Sequence, residues 1–177
     1  MKIEAIFFDL GDTIMDETTK IKDQDLVTLD AELIGGARDI IIRLKELGYK
    51  VALVADTRIG TYKNVLGKYD MLRYFDCLAI SEELGIQKPD PRIFLFALNS
   101  LGIEEKDYKN VIMVGNNLKR DIAGANRLGL ISVWFHWNDR YPSKPETDEE
   151  MPDFEIRDIS QLLEIIKTLE GENIEKL

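Results

Sequence analysis

Residues 3–13 read IEAIFFDLGDT, an apolar run that stops at Asp9 and passes into Leu10, Gly11, Asp12 and Thr13. A run this short, ending in turn-forming residues, fits a strand buried on both faces. The figure recurs downstream. Residues 51–55 stop at Asp56 and Thr57, 77–80 at Ser81 and Glu82, 111–114 at Gly115, Asn116 and Asn117, and 131–135 at His136. Helical patterns separate these runs, which predicts a parallel sheet with helices on its faces. In such sheets ligands sit beyond the carboxyl ends of the strands, near the switch in strand order. The acidic and amide residues that end the runs should therefore converge on one pocket.

Between the runs, Ile40, Ile41, Leu44 and Leu47 mark one face of a helix over 36–47 that Gly48 closes. Asp90 followed by Pro91 reads as an N-cap with proline at the first helical position. A helix over about 118–128 ends before Gly129, and the last helix opens at Asp158 with Gln161 three residues on, a capping-box pattern. The tail 171–177 is expected to fray. Two stretches interrupt the alternation: 14–33, polar and acidic with at most a short helix, and 136–152, a charged loop with three prolines. Both leave the carboxyl end of a strand, so both can overhang the pocket.

A chain of 177 residues is long enough for one domain with a full core. The net charge of −10 argues against broad binding to nucleic acid or anionic membranes. Cys77 is the sole cysteine, so no internal disulfide forms, and its apolar strand predicts a buried, inert thiol. The N-terminus runs directly into a strand, without a signal peptide or an apolar stretch long enough to span a bilayer, so a cytoplasmic location is expected.

The order of Asp9-Leu10-Gly11-Asp12-Thr13 after a strand, then Gln87-Lys88-Pro89-Asp90-Pro91, then Gly115-Asn116-Asn117 with Asp121 resembles the haloacid dehalogenase (HAD) superfamily over nearly the whole chain. The resemblance implies a single three-layer, doubly wound α/β domain over 1–177. Its parallel sheet would have five strands in the order 5-4-1-2-3 and no large cap domain. Only 14–33 occupies the cap position, and 152–165 looks like the family's final short strand and helix. The open pocket of a capless form can admit a large phosphoester as well as a small molecule, unless a second subunit of a homo-oligomer closes it.

The implied chemistry is covalent. Asp9 matches the nucleophile, which attacks phosphorus before water hydrolyses the intermediate. Lys88 matches the lysine that pairs with the nucleophile and the phosphoryl group. Mg²⁺ is the implied cofactor, with Asp9, the Gly11 carbonyl, Asn116 and Asp121 as its ligands. Gly11 stands where phosphatases of the family carry an acid, and Asp12, one residue later, is the candidate substitute. Losing a positioned acid costs roughly 10²–10⁴ in rate, so aryl phosphates should turn over much faster than alkyl phosphates. Ala55 stands where a hydroxyl donor is expected, a loss of roughly 10²–10³ unless Thr57 or a backbone N–H replaces it. Asn116 replaces an aspartate, which predicts weak metal binding. Thr13, Asp56, Thr57, His136 and Arg140 are the candidate substrate contacts, Arg140 because its guanidinium suits a phosphate or carboxylate. Two functions fit: a Mg²⁺-dependent phosphomonoester hydrolase, and a non-catalytic phosphate- or metal-binding module on a degenerate HAD fold. A receiver domain fits poorly, because it needs an aspartate where Ser81 stands. A dehalogenase would lack the cap that shields its apolar substrate.

Overall fold

The computed structural model describes residues 1–171. The frayed tail expected from the sequence lies, beyond Gly171, outside the described residues. In chain order the elements are β1 (Ala5–Phe8), β2 (Ile21–Lys22), β3 (Thr28–Asp30), α1 (Ala37–Glu46), β4 (Lys50–Ala55), α2 (Ile59–Lys68), β5 (Cys77–Ile80), α3 (Ser81–Leu84) and α4 (Pro91–Ser100). They continue with β6 (Val111–Gly115), α5 (Ala123–Arg127), β7 (Ile131–Phe135), β8 (Phe154–Ile156) and α6 (Leu162–Glu170). A 3₁₀ turn, Glu17–Thr19, precedes β2, and a π-helical turn, Leu118–Ile122, runs into α5.

The main sheet has six strands in the order β5-β4-β1-β6-β7-β8, every neighbouring pair parallel. The five expected strands take their expected order. The sixth, β8, is a correction to the count: it adds to the edge, pairing Val133 with Phe154 and Phe135 with Ile156. It is the short strand expected within 152–165, which the count of five left out of the sheet.

Both faces of the sheet are covered, which is why its central strands are apolar throughout. Side chains alternate across β1: Ile6 and Phe8 join the cluster of Ile41, Leu44, Val65 and Ile166 from α1, α2 and α6, while Ala5 and Phe7 join Phe94, Ala97 and Ala125 from α4 and α5. Local chemistry sets the helix ends as the sequence predicts. The Asp90 carboxylate accepts from the Arg92 N–H with Pro91 at the first position. Asp158 and Gln161 form the capping box before α6. Cys77 is buried and free. No helix among the described residues is long and apolar enough to cross a membrane.

The stretch 14–33 differs from expectation. Besides its 3₁₀ turn it forms an antiparallel hairpin, β2 with β3. The turn is built by Asp23, whose carboxylate accepts from the N–H groups of Asp25 and Val27, and by Leu26 in the left-handed region at φ 63°. The hairpin docks on α2: the Thr28 N–H donates to Thr61 Oγ1 at 3.0 Å, and Asn64 Nδ2 donates to the Thr28 carbonyl at 3.0 Å. Two- and three-residue strands carry no readable alternation, and their partner is a helix some thirty residues away.

Candidate active site

The carboxyl ends of β1, β4 and β6 border a pocket of about 200 Å³. Asp9, Leu10 and Gly11 line it after β1, Asp56, Thr57 and Arg58 after β4, and Asn116, Asn117, Arg120 and Asp121 after β6. Lys88 enters from the connection between α3 and α4. The stretch 14–33 contributes Glu17, Lys20, Lys22, Leu26 and Thr28, and the loop after β7 contributes Tyr141.

Lys88 organises this pocket. Its Nζ donates to Asp9 Oδ1 and to Asp121 Oδ1, each at 2.6 Å, and its side chain is 1% exposed. Its backbone N–H donates to Asp56 Oδ1 at 2.9 Å. One residue thus ties together the ends of three strands. Burial disfavours its ammonium, but the carboxylates of Asp121, Asp9 and Asp56 outweigh that penalty and hold its pKa above the usual lysine range. Lys88 is therefore a permanent cation. Asp9 shows the opposite balance. Burial pushes its carboxyl up to about 6, Lys88 resists, and Asp121 adds to the rise. Burial also raises Asp56 against the pull of Lys88.

Asp121 reaches Lys88 because the π-helical turn is locally built for it. The Asn117 side chain caps the turn, accepting from the N–H groups of Lys119 and Arg120, and Asp121 Oδ2 accepts from the Asn117 N–H at 3.0 Å. Gly115 makes room: a Cβ there would overlap the Asp121 carboxylate.

The structure gathers Asp9, Gly11, Lys88, Asp56, Thr57, Asn116 and Asp121 around one space. It does not bring the other four candidates there. Asp12 has a left-handed backbone, φ 50°, and its buried side chain turns away to accept from the Glu17 N–H at 3.1 Å and to pair with Arg140. Its carbonyl accepts from Trp137 Nε1 at 2.8 Å. Asp12 and Arg140 thus clasp the loop after β7 to the loop after β1, and neither lines the pocket. His136 is buried, stacked on Trp134 with ring centroids 3.9 Å apart, between Glu155 at 3.0 Å and Asp139 at 3.1 Å. Thr13 is fully buried, and its hydroxyl has no hydrogen-bond partner among the described residues. Thr57 lines the pocket, but its N–H is already donated to Ser81 Oγ at 3.0 Å, so it is not a free backbone donor in place of the Ala55 side chain.

Asp9, Gly11, Asn116 and Asp121 offer oxygen donors of the hard kind that suit a cation such as Mg²⁺. The Asn116 amide nitrogen is buried with no hydrogen-bond partner among the described residues. Among the described residues no group of three or more His, Cys, Asp or Glu side chains is arranged to hold a metal. A cation here would have the carboxylates of Asp9 and Asp121 and neutral oxygens, in competition with Lys88. Sequence reasoning missed Glu17, Lys20 and Lys22, which carry no motif and reach the pocket only through the fold of 14–33.

The profile of the haloacid dehalogenase-like hydrolases matches residues 18–129. The chain is 32% identical over 129 residues to a glyceraldehyde 3-phosphate phosphatase of Methanopyrus kandleri, covering 73% of this chain and 54% of that one. It is 30% identical over 126 residues to a phosphoserine phosphatase of Thermus thermophilus, covering 71% and 48%. It spans about half the length of these curated relatives. The crystal structure of a HAD phosphatase from Thermococcus onnurineus superposes with a TM-score of 0.77 at 21% identity, covering 93% of this chain and 98% of that one, a likeness of fold. Fold, pocket and profile agree, and the chain belongs to the haloacid dehalogenase-like hydrolases.

Proposed function

We propose that this chain hydrolyses phosphomonoesters by way of an aspartyl-phosphate on Asp9. The observation that carries the reading is the pair of 2.6 Å contacts that hold Asp9 and Asp121 on the buried Lys88 ammonium. Asp9 is a poorly solvated carboxylate whose pKa near 6 leaves it ionised at neutral pH and more basic than an ordinary aspartate. Lys88 fixes its direction and offsets the charge of an arriving phosphoryl group, whose approach to a carboxylate is otherwise repulsive. Mg²⁺, held by Asp9 and Asp121 with neutral oxygens from Gly11 and Asn116, would supply further charge neutralisation. The neutral Asn116 makes that site weak.

Lys20, Lys22, Arg58 and Arg120 also line the pocket, which favours an anionic substrate. A volume of about 200 Å³ beneath the hairpin favours a small one. Relatives named for glyceraldehyde 3-phosphate and phosphoserine point to the same class, a small phosphorylated metabolite. The second reading, a phosphate- or metal-binding module without turnover, is favoured by Asn116 and by the bare Gly11. A screen of aryl and metabolite phosphoesters with and without Mg²⁺, beside Asp9→Asn, separates the two. Phosphate release by the natural chain and none by Asp9→Asn supports the hydrolase. Binding without release in both supports the module.

A further inference from the structure

We propose that Glu17 is the general acid–base of this pocket, brought by the 3₁₀ turn before the hairpin into the place where Gly11 has no side chain. The inference rests on the hydrolase reading above. Phosphomonoester hydrolysis by way of Asp9 needs a group that gives a proton to the leaving oxygen and later takes one from water. The carboxylates that line the pocket are Asp9, Glu17, Asp56 and Asp121. Asp9 is the nucleophile. Asp121 is held by Lys88 through one oxygen and by the Asn117 N–H through the other. Asp56 accepts from the Lys88 backbone N–H. Glu17 alone stands outside the Lys88 network.

Its placement is specific. A Cβ built on Gly11 would overlap the Glu17 carboxyl, with Glu17 Cδ 3.0 Å away. The Glu17 carboxyl therefore fills the space of a side chain at position 11, two residues beyond the nucleophile. Glu17 is also held there. Its N–H donates to Asp12 Oδ1, and Asp16 caps its turn by accepting from the Thr18 N–H at 2.8 Å. Lys20 pairs with Oε2, while Oε1 is the atom nearest the missing Gly11 Cβ. Asp12 thus serves the acid rather than being it.

In the first step the Asp9 oxygen bonds to phosphorus, the ester P–O bond breaks, and the leaving oxygen takes the proton of the Glu17 carboxyl. In the second, water bonds to phosphorus, the Asp9–phosphorus bond breaks, and the Glu17 carboxylate takes the water proton. Inorganic phosphate leaves, and both carboxyl groups return to their starting states.

The test is a leaving-group series of aryl and alkyl phosphates on the natural chain, Glu17→Gln, Gly11→Ala, and the double variant Gly11→Asp with Glu17→Ala. Melting temperatures check that each variant is folded. Glu17→Gln should lose about 10²–10⁴ in kcat/KM on alkyl phosphates. On aryl phosphates it should keep a burst of phenolate release while turnover slows. Gly11→Ala, which displaces the Glu17 carboxyl, should show the same steepened dependence on the leaving group. The double variant should recover alkyl hydrolysis by returning an acid to position 11. A folded Glu17→Gln with an unchanged leaving-group dependence, while Asp9→Asn is dead, overturns the role of Glu17 and leaves the hydrolase standing. A natural chain inert to every ester overturns the hydrolase reading and this inference with it.

Discussion

Lys88 is buried and its partner Asp9 is part-buried, and their charges are unequal in cost. Asp9 has a folded pKa of about 6 against 3.8 for an ordinary aspartate, so the folded chain holds that proton more tightly than the unfolded one. Stability from this group is thus highest below about 3.8 and declines as pH rises through 6. Asp9→Asn should stabilise the chain at neutral pH by on the order of 1–3 kcal/mol, without divalent metal, since Asp121 still neutralises Lys88. Thermal melts should show that gain shrinking from pH 7 to pH 4. Activity titrates in the opposite sense: kcat/KM should rise with pH as Asp9 ionises, and Mg²⁺ on that carboxylate should move the rise to lower pH. Lys88, raised above its usual range, stays charged through that window and adds no slope of its own. Lys88→Met leaves Asp9 and Asp121 facing each other without a cation. It should cost about 3–5 kcal/mol in a denaturation curve as well as activity, and Lys88→Arg should rescue little, because a planar fork does not replace a point charge between two carboxylates.

At the scale of elements, the hairpin is the part that turns an open sheet edge into a pocket. Its attachment to α2 includes a buried hydrogen bond, the Thr28 N–H donating to Thr61 Oγ1, beside the ion pair of Lys68 with Asp30. Thr61→Val should leave that N–H unsatisfied at a cost of about 1–3 kcal/mol. The penalty is local, so hydrogen exchange should quicken over residues 20–30 while the global melting temperature moves little. Gly60 contributes to the same contact, since a Cβ there would stand 2.6 Å from Val27 Cγ1. The hairpin also explains why helix boundaries were legible from sequence and this segment was not. Asp90-Pro91 and Asp158 with Gln161 act within a turn of themselves, so their chemistry is written in adjacent residues. The hairpin is held by a helix distant in sequence, which no local pattern reports.

For the whole molecule, the expected metal ligands come from the loops after β1 and β6, far apart in the chain and joined only by folding. Mg²⁺ should therefore bind the folded chain and not the unfolded one, and the melting temperature should climb with Mg²⁺ concentration by mass action. Asn116→Asp, by adding a charge, should steepen that climb. A titration in which the variant shows no larger shift than the natural chain speaks against the metal.

What the sequence determined by itself was the sheet and its edge: apolar runs that are buried on both faces, each ending in a chemistry-bearing residue, require Asp9, Asp56 and Asn116 to share one side of the molecule. Tertiary structure alone decided which of the nearby residues face inward. Asp12 and Arg140 look like site residues by type, but a left-handed backbone at Asp12 sends its carboxylate to Arg140 and the Glu17 N–H. His136 lies at a strand end yet is consumed by Trp134, Glu155 and Asp139. Glu17 looks like part of a polar linker, yet the fold lays its carboxyl over Gly11. The physical reason is one of range. Burial follows from the summed hydrophobicity of whole segments, whereas the direction of a single side chain follows from one backbone dihedral and from partners that only the folded chain brings within reach.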